Sequence, residues 1–311
     1  MAQDLILGFD IGGTKSAIVL GDRSGAILER EQIATTSAEQ TMSLLIDAAV
    51  KMCAGKLPGA VGVSVGSPLS RKLGHVQSPP NMKHWVDVPV RAMIQAAFAG
   101  LPVNLENDAD AAALAEWRWG LDCKIDDVIY LTCGTGQGAG LIVGGRLHRG
   151  VSNLAGEIGH VRLMPIGPVG CNKSGSVEGL TSGKALGEIG KLRLGEPHEK
   201  SSLDSTPIDQ ITGKHIGEAA MAGDSVALRI VRELGTHLGH ACAILIDVLN
   251  PQRISLGSLA VRLGDLLLPS VRSAAKAEAL SRSFDACTID KAALGDRVQD
   301  LAALAAACEN P

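Results

Sequence analysis

Near the start of the chain stands Asp10-Ile11-Gly12-Gly13-Thr14-Lys15, an acid followed by a glycine pair, a hydroxyl and a cation. Glycines let a backbone approach phosphate oxygens closely enough for its N–H groups to form an anion cradle, and Thr14 and Lys15 add a hydroxyl and a point charge. The apolar runs LILGF before it and SAIVL after it make this a turn between two strands. At the end of the first strand Asp10 is placed to hold a hydrated Mg²⁺ beside a transferring phosphate. The same residues also suit an ordinary hairpin turn with a solvated lysine.

The design recurs 122 positions later, with Gly12 matching Gly134 and Ala17 matching Ala139, so the chain reads as internally duplicated. The second copy, Gly134-Thr135-Gly136-Gln137-Gly138-Ala139-Gly140, contains a formal G-x-G-x-x-A match in Gly134, Gly136 and Ala139. A dinucleotide fingerprint requires a helix straight after the turn, whereas LIVGGRL follows here and reads as a strand. The sequence therefore predicts a second phosphate hairpin facing the first across a cleft. A glycine-rich bulged hairpin with no ligand is the alternative.

Between the two glycine turns lies Glu106-Asn107-Asp108-Ala109-Asp110, ahead of an alanine-rich segment. Asn or Asp at that point is a good helix N-cap. The chemical alternative is that Asp108 takes the proton of a substrate hydroxyl while Asn107 hydrogen-bonds the same molecule, as phosphoryl transfer to an alcohol requires of its base. Glu157 and His160 in AGEIGH are three residues apart and would share a face of a helical turn, as a ligand pair or as a surface pair. Cys171 follows His160 by eleven residues, and one cysteine with one histidine falls short of the four ligands of tetrahedral zinc.

These residues need an α/β framework to position them. Helical apolar spacing covers Thr41 to Cys53 and Val90 to Phe98, GAVGVSVGSP and LPVNLEN read as buried strands ending in loops, and Ala109 to Trp119 is helical. Residues 193–213 form the most polar stretch and predict a surface excursion. A long helix is expected from Asp224, with Val226, Ile230, Val231, Leu234, Leu238, Ala241, Leu245, Val248 and Leu249 on its apolar face and Asn250-Pro251 as its stop. RISLGSL then reads as a strand into a turn, and Leu294 to Cys308 as a closing Ala/Leu helix.

Composition narrows the function classes. In 311 residues, 29 Lys+Arg against 33 Asp+Glu give a net charge of −4 with no basic run, which argues against nucleic acid as a partner. The length predicts about two domains. Seven scattered cysteines without a close pair suit a reducing cytoplasm better than a disulfide framework. The N-terminus meets an acid at once and does not resemble a signal peptide. The longest uncharged stretch, Val128 to Gly145, holds six glycines and reads as a glycine loop between strands, so no membrane span is expected.

Taken in order, DIGGTK, SPPNMKHW (78–85), ENDADAAALAE (106–116), GTGQGAG, AGEIGH, AGD (222–224) and LNPQRISLGSL (249–259) resemble the ROK family of sugar kinases and repressors, within the actin-like ATPase superfamily. The resemblance implies an α/β fold of two ribonuclease H-like lobes with a central cleft. The smaller lobe would span residues 1–118, joined by a C-terminal helix at about 298–311, and the larger one 119–297. ATP and Mg²⁺ are the implied cofactors, held by Asp10, Gly12, Gly13, Thr14, Lys15, Gly134, Thr135, Gly136 and Gly138. Adenine would approach Gly257, where family members usually carry a further glycine in place of Ser258. Asp108 would deprotonate a sugar 6-hydroxyl, that of glucose or of another hexose or N-acetylhexosamine, while Asn81, Asn107, Glu157, His160 and Glu178 bind the remaining hydroxyls. A homodimer is expected from the family. Family repressors carry a helix-turn-helix domain ahead of the first motif, and nine residues precede Asp10 here. A sugar sensor without turnover is the other alternative. Many members also follow GEIGH with a C-x-C-G-x-x-G-C-x-E zinc clip; registered on Glu178, its cysteine positions are Val169, Cys171 and Ser176. One of the three cysteines survives, so no structural zinc is expected and His160 is left to serve the sugar.

Overall fold

The computed structural model describes residues 5–98 and 100–309, which divide into two compact units: residues 5–123 with 297–309, and residues 124–296. The sequence placed the boundaries at 118/119 and 297/298.

The first unit is built on β1 (Leu5–Ile11), β2 (Lys15–Asp22), β3 (Ile27–Ala34), α1 (Ala38–Cys53) and β4 (Ala60–Val65). After a short hairpin of β5 (Leu69–Ser70) and β6 (His75–Val76) come α2 (Val90–Ala97), β7 (Val103–Asn107) and α3 (Asp108–Ala115), which continues into a π-helical turn, Glu116–Gly120. The sheet order is β3-β2-β1-β4-β7, antiparallel across β3, β2 and β1 and parallel across β1, β4 and β7. The inner parallel strands β1 and β4 are buried along almost their whole length because helices cover both faces. One face packs Phe9, Ile11, Val63 and Leu105 with Met42, Leu45, Ile94 and Trp85. The other receives the alanine-rich C-terminal helix, Val298–Ala307. That helix comes so near that a Cβ at Gly62 would collide with the Ala303 carbonyl and the Ala307 amide, which is why a small-residue helix meets a glycine in the strand. Asn104 Nδ2 fastens the helix end by donating to Ala306 O at 3.3 Å and Glu309 O at 2.8 Å.

The second unit repeats this order with new strands. β8 (Val128–Leu131), β9 (Ala139–Val143) and β10 (Arg146–Leu147) form an antiparallel meander. A small hairpin of β11 (Val169–Gly170) and β12 (Lys173–Ser174) and the helices α4 (Val177–Thr181), α5 (Gly183–Leu194), α6 (Gly213–Met221) and α7 (Ser225–Leu249) follow. Then come β13 (Arg253–Leu256), α8 (Ser258–Glu278), α9 (Ser281–Asp285) and β14 (Thr288–Lys291). The sheet order is β10-β9-β8-β13-β14, with β8, β13 and β14 parallel. The expected duplication is thus present as topology, and each glycine segment is a strand-turn-strand unit rather than a strand-to-helix turn.

α7 begins at Asp224, whose Oδ1 accepts the Val226 and Ala227 amides at 3.0 Å, and ends where Asn250 turns to φ +46° ahead of Pro251. Val248, placed by its spacing on the apolar face, is 73% exposed, although Leu245 and Leu249 on either side of it pack on the core. The polar stretch 193–213 is a surface excursion of two 3₁₀ turns, pinned by buried Leu203 and Ile211. Among the described residues no helix is long and apolar enough to cross a membrane.

Candidate active-site residues in each unit

In the first unit the turn between β1 and β2 is closed by Gly12 N–H on Lys15 O at 3.2 Å. Thr35, at the end of β3, anchors it. Its hydroxyl donates to Gly12 O at 2.7 Å and its amide to Thr14 O at 2.9 Å. Gly13, Thr14 and Lys15 stand exposed, as a phosphate-binding turn requires. Thr35 carried no mark in the sequence, since only strand pairing brings it to position 12.

Asp10 lies one residue from the end of β1, in register with Ser64 of β4. Burial, then the neighbouring charge of Asp108, then that of Asp300, push its carboxyl up to about 7 against the help of Ser64 and Arg30. A carboxylate held among others in a low-dielectric position gains from a cation, so Asp10 fits the role of Mg²⁺ holder. Asp108 reaches solvent, yet enough protein surrounds it to raise its carboxyl above the usual range, opposed by the Ala109 amide at 2.8 Å.

The two readings of the 106–110 segment separate by residue. Asn107 is the N-cap, its Oδ1 accepting the Ala109 amide at 2.9 Å and that of Asp110 at 3.4 Å. Asp108 is the first residue of the helix, so capping is left to its neighbour. Asn107 Nδ2 donates to Ser67 Oγ at 2.8 Å, and the Asn107 side chain also hydrogen-bonds the Asp108 carboxyl. Glu106, fully buried, pairs with Arg71 at 2.9 Å, and Arg71 Nε also donates to Leu105 O. Ser67 and Arg71 therefore hold the end of β7, two roles the sequence did not disclose. Asn81 is exposed on a loop fastened by buried Met82 and Trp85, the latter donating Nε1 to Thr36 O at 3.1 Å.

In the second unit Thr132 closes the glycine turn: its backbone N–H reaches Gly138 O and its Oγ1 accepts Gly138 N–H, both at 3.0 Å. Gly134 O accepts the Gly183 amide at 2.7 Å, at the start of α5. Beside the turn, Gly257 admits no Cβ against Tyr130 Oη, and Ser258 takes φ +28°, a backbone region that favours glycine. Glu157 precedes and His160 ends a 3₁₀ turn, with Oε2 and Nε2 3.9 Å apart, so they do share a face. Glu178 on α4 accepts the Cys171 amide at 2.8 Å and the Gln137 amide at 3.2 Å.

The residues in the register of a zinc clip do not fit zinc. Val169 is 61% exposed on β11 and has no donor. The Ser176 hydroxyl is already used as the N-cap of α4, donating to Gly170 O at 2.8 Å and accepting the Gly179 amide at 3.1 Å. Burial, followed by Glu178 and Glu157, pushes the Cys171 thiol up to about 12. Hydrogen bonds hold the segment instead: Arg162 donates to Ser174 O at 2.7 Å, and Ser174 Oγ to Gly167 O at 2.9 Å.

The glucokinase of Streptomyces coelicolor is 36% identical over 282 residues, covering 88% of this chain and 87% of that protein. The xylose repressor of Caldicellulosiruptor bescii is 30% identical, covering 96% of this chain and 77% of its own length. Among solved structures, a ROK family glucokinase from Streptomyces griseus in complex with glucose and AMPPNP superposes with a TM-score of 0.80 at 33% identity, covering 98% of this chain and all of that one. The ROK family profile matches residues 6–308, and the chain belongs to the ROK family.

Proposed function

We propose that the protein is an ATP-dependent hexose kinase that phosphorylates a sugar 6-hydroxyl, glucose being the first substrate to test. The observation that carries this reading is the division of labour at the start of α3, where Asn107 caps the helix and Asp108 is left as a proton acceptor beside the phosphate-turn acid Asp10. The likeness to glucokinases supports it.

In this mechanism the Asp108 carboxylate accepts the proton of the sugar hydroxyl as its oxygen bonds to the γ-phosphorus and the bond to the ADP oxygen breaks. The raised proton affinity of Asp108 suits that transfer. Asn81, Asn107, Glu157, His160 and Glu178 orient the ring through their hydroxyl contacts, and the two glycine turns bind the nucleotide phosphates. Asp10 would hold Mg²⁺, which supplies neutralising charge for the phosphates when bound. Gly257 and Ser258 border the adenine.

A coupled assay with ATP, Mg²⁺ and a panel of glucose, mannose, fructose, allose and N-acetylhexosamines tests the proposal. Turnover with one or more sugars is expected; sugar binding without any turnover would favour a sensor, a reading to which the xylose repressor likeness lends support.

A further inference from the structure

Glu178 is gripped by backbone on both carboxylate oxygens. Oε1 accepts the Cys171 amide at 2.8 Å and Oε2 the Gln137 amide at 3.2 Å. Gln137 belongs to the second glycine turn. A Cβ on Gly136 would stand 2.7 Å from Glu178 Oε2, so the carboxylate occupies the space that any side chain at 136 would need. The other flank of the turn is held by the 156–159 segment. Ala139 donates to Gly156 O at 3.0 Å, and a Cβ on Gly159 would collide with Gln137 O while lying 3.5 Å from Glu178 Cβ. The first unit shows the same construction: a Cβ on Gly13 would stand 2.8 Å from Asn81 Cβ and 3.0 Å from Asn81 O. In each unit, then, a glycine of the phosphate turn packs directly against a residue assigned to the sugar.

We propose that the Glu178–Gly136–Gln137 contact is the link through which bound sugar orders the second phosphate turn, with Gly136 and Gln137 as positioning residues for the nucleotide. The inference rests on the sugar-kinase reading above. A carboxylate offers about four lone-pair sites; the two amides and the Cys171 thiol hydrogen-bond it, leaving an acceptor for a sugar hydroxyl. When a sugar fixes the Glu178 rotamer, the Gln137 amide is fixed with it. The turn has then already lost the freedom that phosphate binding would otherwise remove, so the nucleotide binds a preordered cradle. By linkage the nucleotide must tighten the sugar by the same factor.

The test measures glucose affinity by calorimetry with and without the non-hydrolysable analogue AMPPNP, in the wild type, Gly136→Ala, Glu178→Gln and the double variant. Wild type should show glucose tightened about fivefold or more by the analogue, and Gly136→Ala should bring that ratio close to one. Adding Gly136→Ala to Glu178→Gln should cost no further nucleotide affinity, because both act through one contact. Hydrogen exchange on the wild type supplies a second readout: saturating glucose alone should slow exchange in residues 134–140, and Glu178→Gln should abolish that protection even if Gly136→Ala does not fold. Unchanged exchange there, additive effects, or full coupling in Gly136→Ala would overturn the link while leaving the kinase reading intact. Absence of turnover with every hexose overturns both.

Discussion

Asn107 donates its side-chain amide to Ser67 Oγ at 2.8 Å while its carbonyl oxygen caps the helix that Asp108 begins. The Ser67 hydroxyl thereby sets the rotation of Asn107, and Asn107 sets where the first turn of α3 presents the Asp108 carboxylate. Removing the hydroxyl leaves an amide hydrogen to find another partner, a loss of about 1 kcal/mol. Ser67→Ala is expected to lower kcat about fivefold with a smaller change in sugar KM and a cooperative melt close to the wild type. Equal kcat in the two proteins would remove Ser67 from the positioning of Asp108.

Asp108→Asn keeps the size of the side chain and removes its basicity. Because the cap belongs to Asn107, the variant should fold normally and bind sugar, while kcat falls by about 10²–10⁴-fold, the range for loss of a general base. Calorimetric sugar binding measured beside steady-state turnover separates the two effects. A variant with wild-type turnover would refute the assignment of the base.

Asp224 ties the start of α7 to the 193–213 excursion. Burial opposes its charge, yet hydrogen bonds from Ala227, Ser202 and Ser201 win and lower its carboxyl to about 2 from an ordinary 3.8. A lowered folded-state value stabilises the protein above the unfolded value, and that stability is lost as pH falls from about 4 toward 2. Asp224→Ala removes an N-cap, typically worth about 0.5–2 kcal/mol. The melting temperature should drop by a few degrees at pH 7, and the difference from wild type should shrink progressively below pH 4.

The 169–178 segment is expected to stand without zinc. Protein purified with no added metal should carry well under one zinc per chain by elemental analysis, and treatment with a zinc-selective chelator should leave both turnover and melting temperature unchanged. Arg162→Ala, which removes the donor to Ser174 O, should lower the melting temperature instead. Stoichiometric zinc would show that other ligands complete a site around Cys171.

Much of the architecture was legible in the chain because it is local. The switch from apolar run to glycine turn to apolar run at 5–22 and at 128–143 predicted two hairpins, and both formed as β1–β2 and β8–β9. The strand after Gly140 correctly excluded a dinucleotide fold. Asp224 and Asn250-Pro251 bounded α7 by capping chemistry alone. Periodicity misplaced Val248, which is exposed while its neighbours on the stripe, Leu245 and Leu249, pack on the core.

The sequence by itself determined the residue types at the candidate site and their strand-end and helix-start positions. Only the tertiary structure decided that Thr35, Ser67 and Arg71 brace the first set of residues and that Glu178 rests on the backbone of Gln137. The reason is physical. Caps, turns and amphipathic faces are set by residues within a few positions of one another, whereas these contacts join side chains separated by up to 41 positions. Sheet pairing and helix packing must form before such residues meet.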